Sequence, residues 1–211
     1  MRIVSFITVI LFIGTGTCAQ QKDFPKLTGA YFGQEPPGTT PVKFELNFIP
    51  KGYKLHSSPA FMPGAEEVYF SAININVRFS EKIFVMKVSD NGFWEEPQIA
   101  PFSGNFFDGS PSISPDGKFL FFSSARTMDQ KTINEDGERN IWFVERNEDG
   151  WGTPHPISYS TSLWENGTSL SLFGNLYFDS GDIYKISFPD GNEQNVRKLN
   201  DSINSYFTEL H

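Results

Sequence analysis

The chain repeats itself, and that repeat limits its possible folds more than any other feature. Residues 57–71 read SSPAFMPGAEEVYFS and residues 109–123 read GSPSISPDGKFLFFS, two frames that superpose at a shift of 52. Ser58-Pro59 falls on Ser110-Pro111, Phe61 on Ile113, Pro63 on Pro115, and Val68-Tyr69-Phe70 on Leu120-Phe121-Phe122. A third, shorter copy, GTSLSLFGNLYFDS, occupies 167–180. Each copy starts with a short strand, passes a turn (Pro63-Gly64, Pro115-Asp116-Gly117, Gly174-Asn175) and enters an aromatic strand. Those turn residues supply the fixed or positive φ that a tight hairpin needs. A second hairpin follows each time. Lys82–Val88 leads to Asp90-Asn91-Gly92 and Trp94, Asn140–Glu145 to Asp149-Gly150 and Trp151, and Asp182–Ser187 to Pro189-Asp190-Gly191.

Four strands and two hairpins per unit specify an all-β fold: a β-propeller of four-stranded antiparallel blades, about three blades plus the start of a fourth, an incomplete ring. The step from Trp94 to Trp151 is 57 residues, with the excess placed between the second and third strands. A β-sandwich also shows short strands and frequent turns, but it seldom repeats one motif three times in the same order. Composition agrees, because 7 Ala and 11 Leu against 22 Phe, with 32 Gly plus Pro, starve helices and favour turns.

The copy running from Ser110-Pro111-Ser112-Ile113-Ser114-Pro115-Asp116-Gly117 through Lys118-Phe119-Leu120-Phe121-Phe122-Ser123-Ser124 resembles the repeat of the TolB-like, WD-repeat-like β-propellers of bacterial envelope proteins. The resemblance covers residues 55–211. It departs in the first copy at Met62 and Gly64, where the Ser-Pro-Asp core is absent. It implies a fold, and functions as different as partner binding in the envelope and propellers attached to enzymes.

Residues 1–19 read as a secretory signal peptide: Arg2, an apolar run from Ile3 to Ile13, then small residues. Thr17-Cys18-Ala19 suits cleavage after Ala19, which is preferred; a lipid anchor on Cys18 is the other mode. The expected location is the periplasm or outer cell envelope. Residues 20–54 form an arm or linker with one strand, read from the alternation Phe44-Glu45-Leu46-Asn47-Phe48. Blades are expected at 55–103, 107–160 and 165–204, with the next beginning at 205–211. Three blades and a stub do not close a ring, and the end carries no polar cap, so the reading is of the opening part of a longer protein or of a ring that other chains complete.

Without Arg2 the chain has 16 basic and 25 acidic residues, a formal charge of −9 with no run of five like charges, which speaks against nucleic acid as a partner. No later segment is long and apolar enough to cross a membrane. Nor is there a Gly-x-Ser-x-Gly elbow, a His pair at zinc spacing or a phosphate loop. One constellation stands out. His56, Asp108, Glu165 or Asn166, and Glu209 with His211 enter the first strand of each copy, the strand that lines a propeller channel. They are the candidate ligand-binding residues, a polar ring at one mouth able to hold a polar ligand or a metal, or else caps that bond neighbouring blades. No other cofactor is expected. Trp94 and Trp151, just after turns, read as packing anchors, with sugar stacking as the alternative, and the polar loop Arg126–Arg139 is a candidate contact surface. The function expected is a non-catalytic binding module for an envelope protein or polysaccharide. The alternatives are a channel-site hydrolase or lyase, the propeller domain of a larger enzyme, or a truncated product without function.

Overall fold

The computed structural model describes residues 24–36, 38–45, 47–77, 80–134, 137–157, 164–189 and 196–200. Three consecutive antiparallel sheets carry the repeat. The first is built from β1 (Tyr53–Leu55), β2 (Ala60–Phe61), β3 (Glu67–Asn74), β4 (Glu81–Lys87) and β5 (Gln98–Ile99), in the order β1-β3-β4-β5 with β2 also on β3, so β1 and β2 are one broken inner strand. The second contains β6 (Asp108–Ile113), β7 (Phe119–Ser124), β8 (Asn140–Asn147), β9 (Gly150–Trp151) and β10 (His155–Pro156); β9 and β10 share the outer edge of β8. The third runs β11 (Asn166–Leu170), β12 (Asn175–Asp179), β13 (Ile183–Ser187), β14 (Arg197–Lys198). Each is a four-stranded meander. The fold is all-β and is that of a partial β-propeller of three blades.

Side-chain period decides how the blades stack. Successive strand residues face opposite ways, so a strand apolar at every position needs a cover on both sides. In the first blade Val68, Phe70, Ala72, Phe84 and Met86 face one way, and Tyr69, Ile83 and Val85 the other. The second face meets Leu120, Phe122, Trp142 and Val144 of the second blade. That blade's own reverse face, Phe121 and Ile141 with Phe119 and Phe143, meets Leu176, Phe178 and Ile186 of the third. Phe121 and Trp142 are fully buried, as expected of rings that pack between blades.

The two flanks of this stack are finished differently. Residues 24–49 lie across the first blade and close its back with Leu27, Phe32 and Phe48, where Phe32 sits 4.7 Å from Phe48 and 4.8 Å from Trp94. The strand expected over 44–48 does not form: Phe44, Glu45, Asn47 and Phe48 are irregular, and Leu46 lies outside the described residues. In place of a strand neighbour, the Gln34 side-chain amide donates to Glu45 O (3.0 Å) and accepts from Glu45 N (2.9 Å). The arm covers a sheet face, and its backbone meets the blade at one antiparallel bridge, Thr28 to Phe93, with Trp94 N donating to Leu27 O (2.9 Å).

On the other flank, the far face of the third blade carries Asn175, Tyr177, Asp179, Ile183, Lys185 and Ser187, none of them buried. Five of these six side chains are polar; the expectation that the chain's end carries no polar cap falls on 205–211, which lie outside the described residues. The signal for this polar face was the alternation in Asn175–Asp179 and Ile183–Ser187, which replaces the unbroken apolar runs of the first two blades.

An ionic clasp ties the first two blades together at the end where Glu67 begins β3. Arg146 grips Glu67 with both guanidinium nitrogens (3.0 and 2.7 Å), Tyr69 donates its hydroxyl to Glu67 (2.6 Å), and Trp151 Nε1 donates to Tyr69 (2.7 Å). Burial pushes the Glu67 carboxyl up, but the Arg146 and Tyr69 hydrogen bonds and the charges of Arg146 and Lys87 outweigh it and hold the group at about 2. Burial and the neighbouring Glu67 push the Tyr69 phenol up.

Two predictions follow from this stacking. Phe48→Ala, which uncovers the first blade, should cost about 3–5 kcal/mol, whereas Lys185→Ala on the polar face should stay within about 0.5 kcal/mol in urea unfolding; equal costs would mean the two flanks are alike. Because folding depresses the Glu67 pKa, the clasp contributes fully above the ordinary value of 4.5 and is lost as pH falls toward about 2. The stability gap between the protein and Glu67→Gln should narrow over that window, and a gap independent of pH would show that the clasp carries no charge-dependent stability.

Candidate binding site at the inner-strand entrance

Register places the sequence-derived candidates on one footing. Phe61, Ile113 and Leu170 pair with Val68, Leu120 and Leu176, the first core residue of each aromatic strand. Counting five residues back from each (61 − 5, 113 − 5, 170 − 5) gives His56, Asp108 and Glu165. Three residues back stand Ser110 and Gly167, both in the left-handed region (φ 49° and 53°), inside the register shifts Gly109/Ser112 and Asn166/Ser169. Such a bulge re-aims the side chains before it. A serine held at positive φ costs about 1–2 kcal/mol, so this bend must be stabilised by what surrounds it.

Asp108 is fully buried. Its Oδ1 accepts from Ser124 Oγ (2.6 Å) and Arg126 Nη2 (2.8 Å), and its Oδ2 from Ser103 Oγ (2.9 Å). Arg126 is buried too. It also donates to Ser124 Oγ (2.8 Å) and Phe102 O (3.1 Å), and its guanidinium lies against Phe106, Phe122 and Trp142 at 4.7–5.3 Å. Glu165, likewise buried, bonds across to the second blade: its N donates to Arg139 O (2.9 Å), and its Oε2 accepts from Ile141 N (3.0 Å). Asn166 opens β11 opposite Asp179. Glu209 and His211 lie outside the described residues.

His56 alone of the three faces solvent, with its side chain 51% exposed. Its Nδ1 sits 2.7 Å from Glu81 Oε1, and its backbone N donates to Ser71 O (2.8 Å). Glu81, only 1% exposed, is the hub of the entrance. Ser71 Oγ donates to Oε1 (2.6 Å), and Arg139 Nη1 lies 2.7 Å from Oε2 as an ion contact whose angle falls short of a hydrogen bond. The carboxylate rests against Gly109, where a Cβ would come within 2.4 Å of Oε1. Arg139 in turn lies 5.4 Å from the Phe107 ring and 6.0 Å from that of Trp164, which is half exposed. Two oxygens and a guanidinium thus join blades one and two, while the imidazole Nε2 edge of His56 is left at the surface.

The sequence marks His56, Asp108 and Glu165 as equivalent positions, but Asp108 and Glu165 are buried and only His56 reaches the surface; Glu81 and Ser71 were not singled out, and Arg126 and Arg139 only as the bounds of a loop. The available signal was Gly109 itself: by register its counterparts are Ser57 and Asn166, so a glycine there marks a group pressing on the strand. The Trp rings act as anchors. Trp94 is 3% exposed beneath the arm, its Nε1 donating to Gly29 O (2.8 Å), and half-buried Trp151 spends its N–H on Tyr69. Among the described residues no three His, Cys, Asp or Glu side chains lie close enough to hold a metal, and no helix is long and apolar enough to cross a membrane.

No family model matches the chain, and no curated protein matches it. It is similar to solved structures at low identity. One is a puromycin hydrolase (14% identity, TM-score 0.43, 71% of this chain and 23% of that one). Another comes from a study of two prolyl endopeptidases (11% identity, TM-score 0.38, 78% of this chain and 30% of that one). The chain therefore spans less than a third of the length of either.

The buried pair generates a prediction. Arg126→Met leaves the Asp108 charge uncompensated and should cost about 3–5 kcal/mol in chemical unfolding, whereas adding Asp108→Asn should recover part of that loss. Additive costs in the double variant would mean that the two groups do not act as a pair.

Proposed function

We propose that the chain is an exported, non-catalytic binding module whose inner-strand entrance, with the loops around it, docks onto another protein of the cell envelope. The observation that carries this reading is the placement of exposed apolar side chains. Turns of an antiparallel meander alternate between its two ends, so the β3–β4, β7–β8 and β12–β13 connections all lie at the end where the inner strands begin. There Ile75 and Val77 of the first blade, Met128 and Ile133 of the second, Ile183 of the third and Trp164 are 40–67% exposed. Large apolar side chains on every blade, around an entrance with an exposed imidazole, make an interaction surface of the kind that protein partners cover. Aliphatic groups of this sort favour a protein over a polysaccharide.

Chemistry at the entrance supports binding over catalysis. Ser71 hydrogen-bonds the Glu81 carboxylate and not the imidazole, so this Ser, His and Glu lack the hydroxyl-to-imidazole contact that activates a nucleophile. If the chain is instead the propeller domain of a larger enzyme, the same surface is the one that would meet the catalytic part. The test is site-specific photo-cross-linking in intact envelope, with the probe at Met128 or Trp164 and a control at Lys185. A discrete protein adduct at the first two positions, absent at the control and weakened by His56→Ala, is expected. Adducts that disappear on glycosidase treatment would replace the protein by a polysaccharide, and equal labelling at all three positions would end the proposal.

A further inference from the structure

The opposite end of the meander carries a feature that this reading does not use. At the β11–β12 turn Leu172 is 83% exposed and Phe173 is 91% exposed. By register their counterparts are Pro63-Gly64 and Pro115-Asp116, ordinary turn residues, and the turn closes through the same left-handed position each time, at Ala65, Gly117 and Gly174 (φ 56°, 72° and 71°). Turn geometry therefore asks for nothing apolar at 172 and 173. Beside them runs a groove of about 190 Å³ whose walls include Pro115, Phe119, Leu170, Leu172, Phe188 and Pro189, with Asp116 at its edge. The first junction shows what such a tip can do: Met62 and Pro63 pack within 3.1–3.3 Å of the Cβ position of Gly117 on the next blade. At the third blade, whose far face is polar, the same place in the repeat projects two bare apolar side chains.

Charge selects the occupant. This end displays Glu66, Asp90, Glu95, Asp116, Glu148 and Asp149, all exposed, and of the nearby lysines Lys87 and Lys118 already face Glu67 and Asp116. With Asp116 lining the groove and the other carboxylates making this end of the stack acidic, it repels an anionic lipid surface and attracts a cationic chain. We propose that the turn 171–174 and its groove dock a short segment of another protein in which apolar side chains alternate with lysine or arginine. The apolar side chains occupy the groove against Leu172 and Phe173, while the cations meet Asp116 and the neighbouring carboxylates. This surface is separate from the entrance and does not depend on what binds there.

The probe is a pair of short synthetic peptides, one alternating Leu with Lys and one alternating Leu with Glu, titrated against the full chain by fluorescence anisotropy. The Leu–Lys peptide should bind with an affinity that falls as salt rises, and the Leu–Glu peptide should not. Leu172→Ser with Phe173→Ser should weaken binding about tenfold or more, and Asp116→Asn by a few-fold, both without change in melting temperature. Should the double variant unfold, Phe173→Cys replaces it: its thiol should react with a charged maleimide as fast as a free thiol, and the adduct should no longer bind peptide. Unchanged affinity in the double variant or equal binding of both peptides overturns the proposal. So does a thiol at 173 that is shielded by the chain itself, or uptake by vesicles of anionic phospholipid.

Discussion

Strands that are apolar at every position cannot stand alone in water, and the rest of this structure depends on how that requirement is met. Val68–Ala72, Ile83–Met86, Leu120–Phe122 and Ile141–Val144 each bury side chains on two faces. A sheet made of them needs a neighbour on either side, which is why the blades stack and why the arm lies where it does. Burying large rings is worth roughly 1.5–3 kcal/mol apiece, and the cores hold so many that stacking order is fixed by which faces are apolar. Where the requirement lapses, at the far face of the third blade, the strands revert to alternation.

Stacking by apolar area alone would leave the blades free to slide, since the hydrophobic effect has no direction. Direction comes from charged groups placed at the two ends of the sheets. Glu67 and Arg146 fix one end of the first junction, and Glu81, Arg139 and His56 fix the other, while Glu165 reaches back from blade three to the start of β8. Buried ion pairs seldom add net stability over apolar side chains of the same volume, but a misplaced blade would leave these charges unpaired at several kcal/mol each. Gly109 shows how close the tolerance is, since even one extra carbon there would collide with the Glu81 carboxylate.

This division explains what could be read from the sequence. The repeat and its turns were legible because each turn type demands particular residues and because period-two and unbroken apolar runs differ on the page. Ser58-Pro59 and Ser110-Pro111 therefore located the inner strands correctly, and Phe121 and Trp142 located the packing between blades. His56, Asp108 and Glu165 were legible as equivalent positions but not as different environments. Whether a carboxylate meets a buried arginine, as Asp108 meets Arg126, or a backbone N–H, as Glu165 meets Ile141, depends on partners 18 and 24 residues away. Glu81 was hidden for the same reason: one glutamate at the head of EKIFVMK looks like a solvent-facing strand end until Gly109 and Arg139 are brought against it. The arm misled in the opposite sense, its alternation at Phe44–Phe48 reflecting a segment laid on an apolar face, with no strand beside it to pair with.

The two ends of the blade stack differ in kind, and the difference has a structural origin. At the entrance end the connection is long in blade two and aliphatic groups are exposed on every blade, while Glu81, Arg139, Asp108 and Arg126 are drawn inward to hold the inner strands. At the turn end the inner hairpins β2–β3, β6–β7 and β11–β12 are short, so their residues are set by turn chemistry, and many of the exposed positions at this end are acidic. Leu172 and Phe173 break that rule at a place where neither backbone geometry nor blade packing calls for apolar groups. The two ends of the stack thus differ in chemistry, aliphatic side chains at the inner-strand entrance and carboxylates with one apolar tip at the turns.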